Sequence, residues 1–230
     1  MGRPIQKYLE AMNPTDLYQM EVLSINLDDL ITVVSVHLAA FPDAVLSKFG
    51  RETVRRYYRW YLSSPHDSLG IGVFINRKMI GYCVAGVFRG SETIFLRQNK
   101  GYLMWYLATH PWLFADRSVK NRINDTFQMV RQRFYRASSK KEMPNIERKD
   151  MFGILAIAVE PRYQRFGVGN LLLQDVERLA LKRGFNSMRL SVHLDNDKAI
   201  AFYEKHNWKK IPGPDGKWQG YMMKEIQEQS

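Results

Sequence analysis

Two glycines, Gly167 and Gly169, lie in the segment YQRFGVGN, which connects an apolar stretch to a leucine-rich one. Glycine lets the backbone approach a ligand closely, and the N-terminus of a following helix offers unpaired N–H groups with partial positive charge. Gln164 and Arg165 add side-chain donors just before the glycines. The segment therefore predicts a pyrophosphate site. The alternative is a tight strand–helix connection without a ligand, because a lone Gly-x-Gly often serves only packing.

The spacing does not fit two better-known phosphate-binding loops. A dinucleotide fingerprint needs a third glycine, and a nucleotide P-loop needs Gly-Lys followed by Ser or Thr. The single cysteine, Cys83, excludes an internal disulfide framework and a cysteine-based zinc site. It stands in the apolar run IGYCVAGVF, which predicts a buried thiol. We therefore predict no metal, and a reducing, cytoplasmic setting fits best.

The elements around the glycine turn predict a mixed α/β fold. Apolar and alternating runs predict strands, and apolar residues at helical spacing between polar caps predict helices. The polar turn NRK between two apolar runs predicts a hairpin. In chain order the predicted strands are LYQMEVLSI, LGIGVFI, MIGYCVAGVF, MFGILAIAV, SMRLSVHL, WKKI and WQGYMMKEI. The predicted helices include LDDLITVVSVHLAAFP, SKFGRETVRRYYRWYL, VGNLLLQDVERLALKRG and DNDKAIAFYEKH.

The segment from residue 154 to residue 211 resembles the core of the GNAT superfamily of acetyl-CoA-dependent N-acetyltransferases. The family signature Gln/Arg-x-x-Gly-x-Gly/Ala is matched from Gln164 to Gly169, and a downstream pattern by Asn196, Ala199 and Tyr203-Glu204-Lys205. The resemblance implies a mixed, mostly antiparallel twisted sheet flanked by helices. It also implies one domain over residues 1–230. The family's third and fourth strands normally join by a short turn, so the helical segment predicted at about residues 91–149 departs from the pattern as an insertion between them.

The resemblance implies acetyl-CoA as cosubstrate and assigns residues to it. The strand end would bind the pantetheine arm through backbone groups, the turn would hold the pyrophosphate, and Asn196 would contact the cofactor. Tyr203 would be the acid that protonates the leaving thiolate; its alternative role is aromatic packing. The cofactor-binding residues of the strand and turn are Ala156, Ile157, Ala158, Val159, Gln164, Arg165, Phe166, Gly167, Val168, Gly169 and Asn170.

The general base is not evident from the sequence. Ser191 stands where some relatives carry a glutamate, and a serine is no base for an ammonium group. Strand alternation puts Arg189, Ser191 and His193 on one face, which favours His193 as a cleft residue. The open candidates are Glu160, His193, His37 and His110.

The insertion is strongly basic. Residues 91–149 hold twelve Lys and Arg against five Asp and Glu, a net charge of +7 within a chain total of +11. Apolar residues at helical spacing run from Val119 to Phe134, opposite a face of arginines that includes Arg131 and Arg133. We hypothesise that the insertion builds or covers the acceptor site and favours an anionic acceptor such as a nucleotide-linked amino sugar. The alternative is a packing flap whose arginines are solvated.

The resemblance implies an acyltransferase that moves an acetyl group from acetyl-CoA to a primary amine, by direct attack on the thioester. One alternative acceptor is a protein or peptide amine. Another class is a non-catalytic coenzyme A-binding module that docks on an anionic surface. The sequence disfavours nucleic acid as partner, leaves peripheral membrane contact open and does not indicate an oligomeric state. Its longest uncharged run, GYLMWYLATHPWLFA, is too short to span a bilayer and contains a proline.

Overall fold

A seven-stranded sheet forms the centre of the molecule. The computed structural model describes residues 20–88, 92–117, 119–120, 152–213 and 215–227. The strands are β1 (Glu21–Ile25), β2 (Asp67–Ile75), β3 (Lys78–Val87), β4 (Phe152–Val159), β5 (Ser187–Ser191), β6 (Lys209–Pro212) and β7 (Trp218–Glu225). Their order is β1-β2-β3-β4-β5-β7-β6. All neighbours are antiparallel except β4 and β5, which are parallel.

Helices cover both faces of this sheet. They are α1 (Leu30–Ala40), α2 (Val45–Lys48), α3 (Gly50–Tyr61), α4 (Glu92–Gln98), α5 (Lys100–Thr109), α6 (Val168–Lys182) and α7 (Asp197–Lys205). Short 3-10 turns follow at Pro111–Ala115 and Pro161–Tyr163. One apolar cluster joins α1 and α3 to the sheet, and a second joins α6 and α7 to its other face. The predicted fold of a mostly antiparallel sheet flanked by helices is confirmed.

Strand β3 explains why the central hairpin looks continuously apolar in sequence. Tyr82 and Val84 belong to the cluster under α1 and α3, while Cys83 and Ala85 belong to the cluster under α6. Successive side chains of a strand point to opposite faces, so a strand covered on both sides needs no polar alternation. The Cys83 thiol is buried, as the sequence predicts.

Strands β4 and β5 separate after three paired residues. Phe152–Ile154 pair with Met188–Leu190, whereas β4 continues beside β3 as far as Val159. Ala85 lies opposite Ile154 and Val84 lies opposite Ala156, so Leu155 is an extra residue, a β-bulge in β4. A bulge bends and twists its strand. The second half of β4 therefore borders an opening between the two strands, which we call the β4–β5 wedge.

The insertion between β3 and β4 packs on α2 and α3. The rings of Tyr57 and Phe95 meet at 5.6 Å, and the Arg56 guanidinium lies 4.4 Å from the centre of the Tyr102 ring. The Lys48 ammonium binds the Asp116 carboxylate at 2.7 Å. The predicted helical character is borne out for α4 and α5. The predicted amphipathic face beyond Val119, with the arginines at 122, 131, 133 and 136, lies outside the described residues.

Two sequence predictions need correction. The single helix expected over SKFGRETVRRYYRWYL is two helices, α2 and α3, separated at Phe49. Gly50 has a φ of +80°, in the left-handed region that favours glycine, so the chain turns there. The strand expected over SMRLSVHL ends at Ser191. The alternation that placed His193 on the face of Ser191 therefore does not continue to His193.

The closeness of α6 to β3 at Gly81 is testable by substitution. A Cβ there would lie 2.9 Å from the Ala158 carbonyl oxygen and 3.0 Å from Cγ1 of Val168. We expect Gly81→Ala to lower the free energy of unfolding by about 1–3 kcal/mol, because packed cores do not absorb an added methyl. Urea denaturation measures the change.

Gly101→Ala is the matched control, because a Cβ at Gly101 meets nothing within 4 Å. Gly101 lies inside α5, so alanine should stabilise by about 0.5–1 kcal/mol through reduced backbone entropy. Equal stability of Gly81→Ala and the unmodified protein would contradict the close packing.

Candidate active site

The N-terminus of α6 presents free backbone donors at the end of β4. Arg165 and Gly167 have φ values of 70° and 83°, so two left-handed residues fold the turn before the helix. The first helical hydrogen bond runs from the Leu171 N–H to the Gly167 carbonyl oxygen at 3.0 Å, and no described side chain caps the helix. The N–H groups of residues 168–170 therefore remain for a ligand, and they lie at the positive end of the helix dipole.

The space beside this turn suits a bulky anion. A Cβ at Gly167 would meet nothing within 4 Å, so glycine is needed there for its conformation and not for packing. A Cβ at Gly169 would contact only the Phe202 ring of α7, at an ordinary distance of 3.4 Å. Tight strand–helix packing therefore does not explain either glycine. The free N–H groups of this turn are donors of the kind that a pyrophosphate group accepts from.

Gln164 has a structural contact that the sequence does not reveal. Its side-chain amide donates to the Val159 carbonyl oxygen at 3.1 Å, which fixes the turn to the last residue of β4. Arg165 is exposed beside it. The two side chains expected to act alike thus differ: Gln164 holds the turn in place, whereas Arg165 remains accessible to a charged ligand.

Two backbone positions of β4 face the wedge. The Glu160 N–H donates to the Ile80 carbonyl oxygen on β3 at 2.8 Å. Backbone groups alternate in direction along a strand, so those of Ala158 also point to β3, while those of Ile157 and Val159 point to the wedge. The bond from Gln164 to the Val159 carbonyl oxygen agrees with this direction. Among the four predicted strand residues, Ile157 and Val159 therefore offer their N–H groups to a ligand.

Tyr203 lies on α7 with its ring in the cluster that also holds Val168 and Cys83. The ring packs against Phe202 and Trp208, with centroids 5.4 and 5.8 Å away. Burial raises the pKa of the Tyr203 hydroxyl well above its ordinary value, and the nearby Cys83 thiol adds to the shift. No described residue hydrogen-bonds this hydroxyl. Tyr203 is therefore both a packing residue and a phenol that remains protonated at neutral pH.

Asn196 caps α7. Its Oδ1 accepts a hydrogen bond from the Ala199 N–H at 3.1 Å, which satisfies one of the free donors of the helix end. The capping bond between Asn196 and Ala199 therefore explains part of the downstream pattern on which the resemblance to the family rests. The Nδ2 group of Asn196 remains available as a donor to a ligand, so the two roles are compatible.

His37 is not placed to act as a general base on a substrate. It is buried, and its Nδ1 lies 2.9 Å from the Tyr58 hydroxyl and 3.1 Å from the Tyr82 hydroxyl, which are 2.6 Å apart. Burial lowers the pKa of His37 to about 4. The sequence did not identify Tyr58 and Tyr82 as partners of His37. Both lie on apolar faces of predicted elements, which is the one feature that could have indicated their burial.

The three other candidates differ in their surroundings. The His193 side chain is 80% exposed beyond the end of β5, with Asp195 at 3.7 Å. His110 belongs to the insertion, where its ring stacks on Tyr106 at 4.0 Å. Glu160 directly follows β4 beside the wedge, but its carboxylate is paired with Arg162 at 2.6 Å and Lys78 at 3.8 Å. Glu160 and His193 each follow a strand that borders the wedge, and the Glu160 carboxylate is already engaged in ion pairs.

Among the residues that the structure describes, no cluster of His, Cys, Asp or Glu side chains could hold a metal ion. Within the same part of the chain, no helix is long and apolar enough to cross a membrane.

Residues 133–208 match the model of the acetyltransferase (GNAT) family. The resemblance to the GNAT superfamily is confirmed. The chain is also 36% identical over 76 residues to an N-alpha-acetyltransferase of Saccharolobus solfataricus. That match covers 32% of this chain and 44% of the relative, so this chain spans less than half the length of the curated relative it matches.

Solved structures share the fold of this protein along most of its chain. The ribosomal-protein-S18-alanine N-acetyltransferase of Escherichia coli has a TM-score of 0.53 at 17% identity, covering 92% of this chain and 96% of that one. The PaiA N-acetyltransferase of Thermoplasma acidophilum, in complex with coenzyme A, has a TM-score of 0.51 at 16% identity, covering 90% and 99%. At these identities the likeness shows the fold, and the activity has to be argued from the site.

The buried His37 makes stability depend on pH in a defined direction. The pKa is lowered from 6.5 to about 4 in the folded protein, so the unfolded chain binds more protons between these values. The free energy of unfolding should therefore fall as pH decreases from about 6.5 towards 4, by at most about 1.4 kcal/mol per pH unit from this group. Urea denaturation at a series of pH values measures the slope.

His37→Gln is the control, because glutamine keeps a polar group but does not titrate. It should be less stable at pH 7, where the hydrogen bonds to Tyr58 and Tyr82 are altered, and its slope should be shallower. An identical slope in both proteins would show that other groups cause the acid sensitivity.

Proposed function

We propose that this protein is an N-acetyltransferase that moves an acetyl group from acetyl-CoA to a primary amine. The observation that carries the proposal is the β4–β5 wedge with the donor-rich N-terminus of α6 at its end. An extended thioester arm needs backbone partners along one strand, and the pyrophosphate at its far end needs a focused positive potential. The wedge offers the backbone partners through Ile157 and Val159, and the turn offers the positive potential.

The proposed cosubstrate site follows from these placements. Ala156, Ile157, Ala158 and Val159 line the pantetheine arm, with the Val159 N–H as its donor and the Ile157 N–H at its thioester end. The turn from Gln164 to Asn170 holds the pyrophosphate through the backbone of Gly167, Val168, Gly169 and Asn170. Arg165 adds charge, while Gln164 and Phe166 shape the turn. Asn196 uses its Nδ2 group. We further propose that residues 1–230 act as one domain, with the insertion at about residues 91–149.

The proposed reaction needs one nucleophile, one oxyanion donor and one acid. The neutral amine attacks the thioester carbonyl carbon and forms a C–N bond; the oxyanion that develops accepts a hydrogen bond from the Ile157 N–H, the wedge-facing donor farther from the pyrophosphate turn. The C–S bond then breaks and coenzyme A leaves as a thiolate, which takes a proton from the Tyr203 hydroxyl. The amine nitrogen gives its proton to water, and Tyr203 regains one from water. The products are an amide and the free thiol.

The class of acceptor that we propose follows from the net positive charge of the chain. The chain carries a net charge of +11, and the insertion contributes +7 of it. A basic protein attracts anionic substrates, so our leading acceptor is an amino sugar, in particular one linked to a nucleotide. A protein or peptide amine is the second candidate, and the 36% identity to an N-alpha-acetyltransferase over 76 residues supports it. We expect either reaction to take place in the cytoplasm.

A panel of acceptors tests the activity and its class. Purified protein with acetyl-CoA should release thiol when given amino sugars or nucleotide-linked amino sugars, and polyamines and short peptides serve as the other arms. We expect the lowest KM with the anionic, nucleotide-linked acceptors, and we expect high salt to raise that KM. Release with peptides alone would favour the second candidate. Binding of coenzyme A without release in any arm would favour a non-catalytic module.

Tyr203→Phe tests the proposed acid. We expect kcat to fall by about 100-fold or more, because the thiolate loses its proton donor. The KM for acetyl-CoA should change little, since the ring is retained and the change removes no group assigned to coenzyme A. Steady-state kinetics with the best acceptor measures both constants.

Tyr61→Phe is the control for Tyr203→Phe, because it also removes a buried tyrosine hydroxyl but on α3, where Tyr61 stacks on His66. Its kcat should match that of the unmodified protein. Normal kcat in Tyr203→Phe would reduce Tyr203 to a packing residue.

A further inference from the structure

An apolar surface on the insertion remains uncovered. Four of its large side chains are well exposed: Met104 and Trp105 at 60%, Trp112 at 63% and Phe114 at 47%. Together they form what we call the insertion face. Large exposed apolar patches on a folded protein commonly mark an interaction site. Isolated exposed apolar residues need no such explanation, so the question is whether these four form one surface.

Helix α5 has an unusual composition for an exposed helix. Its sequence KGYLMWYLAT has one charged residue, at its first position, yet none of its ten residues is buried. A helix that is apolar on all sides normally lies in a protein core or in lipid. The packing of α5 against α3 therefore accounts for only part of its composition, and its outer side lacks an apolar partner among the described residues.

Ring contacts connect the two tryptophans of the insertion face. Trp105 lies 6.2 Å from Tyr102, and Tyr102 lies 6.0 Å from Tyr106. Tyr106 stacks on His110 at 4.0 Å, and His110 meets Trp112 at 4.8 Å. The two exposed tryptophans are thus the ends of a continuous series of aromatic rings.

The inner side of this series is attached to the domain. Tyr106 contacts Phe49, with ring centroids 5.9 Å apart, and the Tyr102 hydroxyl lies 3.4 Å from that of Thr53. The Lys48–Asp116 ion pair holds the chain just after Phe114. The tryptophans are therefore presented from a supported base, so their exposure does not follow from a loose loop.

Basic residues flank the insertion face. Arg97 and Lys100 precede it, Arg117 and Lys120 follow it, and all four are exposed. The acidic residue between them, Asp116, is bound to Lys48. Exposed tryptophans beside lysines and arginines are typical of proteins that lie at a membrane surface, where indole rings enter the headgroup region and cations meet anionic lipids.

We propose that the insertion face docks this protein on the surface of an anionic lipid bilayer. Trp105, Trp112 and Phe114 enter the interfacial region, and Met104 adds an aliphatic chain that suits acyl tails. The flanking cations are attracted to an anionic surface. Met104 and Phe114 favour lipid over nucleic acid, since stacking on bases uses flat rings beside a backbone-binding groove.

Vesicle co-sedimentation tests the proposal with the full chain. We expect binding to vesicles that contain phosphatidylglycerol, weaker binding to phosphatidylcholine alone, and loss of binding at high salt. The double variant Trp105→Ser with Trp112→Ser should bind the anionic vesicles about tenfold more weakly or worse, because two indoles no longer leave water. Ile31→Ser is the matched control, since Ile31 is 71% exposed on α1, outside the insertion face; it should bind like the unmodified protein.

A second variant separates charge from apolar burial. Lys100→Glu with Arg117→Glu should abolish the preference for phosphatidylglycerol while the tryptophans are retained. Thiol release with a soluble acceptor, measured without vesicles, should be unchanged in the tryptophan double variant, so loss of docking is distinguishable from loss of the proposed activity.

Several results would overturn the proposal. Equal binding of anionic vesicles by the tryptophan variant and the unmodified protein would show that the insertion face does not dock on lipid. A dimer in light scattering that the tryptophan variant abolishes, without vesicle binding, would assign the face to a second copy. Tight binding of single-stranded nucleic acid in place of vesicles would assign it to that partner.

Discussion

The separation of β4 from β5 is the constraint on which the proposed site depends. The two strands share only three register pairs before Leu155 bulges out of β4. From there the backbone groups of Ile157 and Val159 no longer face a strand. Buried backbone N–H and C=O groups need partners, so the fold leaves a row of donors and acceptors that an extended ligand with amide groups can complete. Gln164 already satisfies one of them, the Val159 carbonyl oxygen.

The elements around the wedge hold the two ends of such a ligand at a fixed separation. Helix α6 sits so close to β3 that a methyl group on Gly81 would collide with Ala158 and Val168. The helix N-terminus therefore cannot shift along the sheet without disturbing the core. Tyr203 is packed in the same cluster through Trp208. Site groups held by core packing are placed more accurately than groups on free loops.

The sequence predicted the structure best at positions where a residue type has a single physical explanation. Gly167 is needed for its left-handed backbone, and the strand–turn–helix order around it was predictable from hydrophobic periodicity. The direction of the β4 backbone groups could not be predicted, because an apolar run shows no pattern that would reveal the bulge at Leu155. The division of α2 from α3 was missed since helical periodicity continues through Gly50. The role of Gln164 depends on a contact with Val159 that neither residue type signals.

The two faces of the sheet bury polar side chains in different ways. His37, Tyr58 and Tyr82 lie under α1 and α3, where they bond to one another and burial favours their neutral forms. Tyr203 lies on the other face, without a partner among the described residues. A hydroxyl already bonded to neighbours stabilises the core, whereas one that lacks a partner leaves its proton for the acid role that we propose. Burial alone does not distinguish the two kinds of tyrosine; their hydrogen-bond partners do.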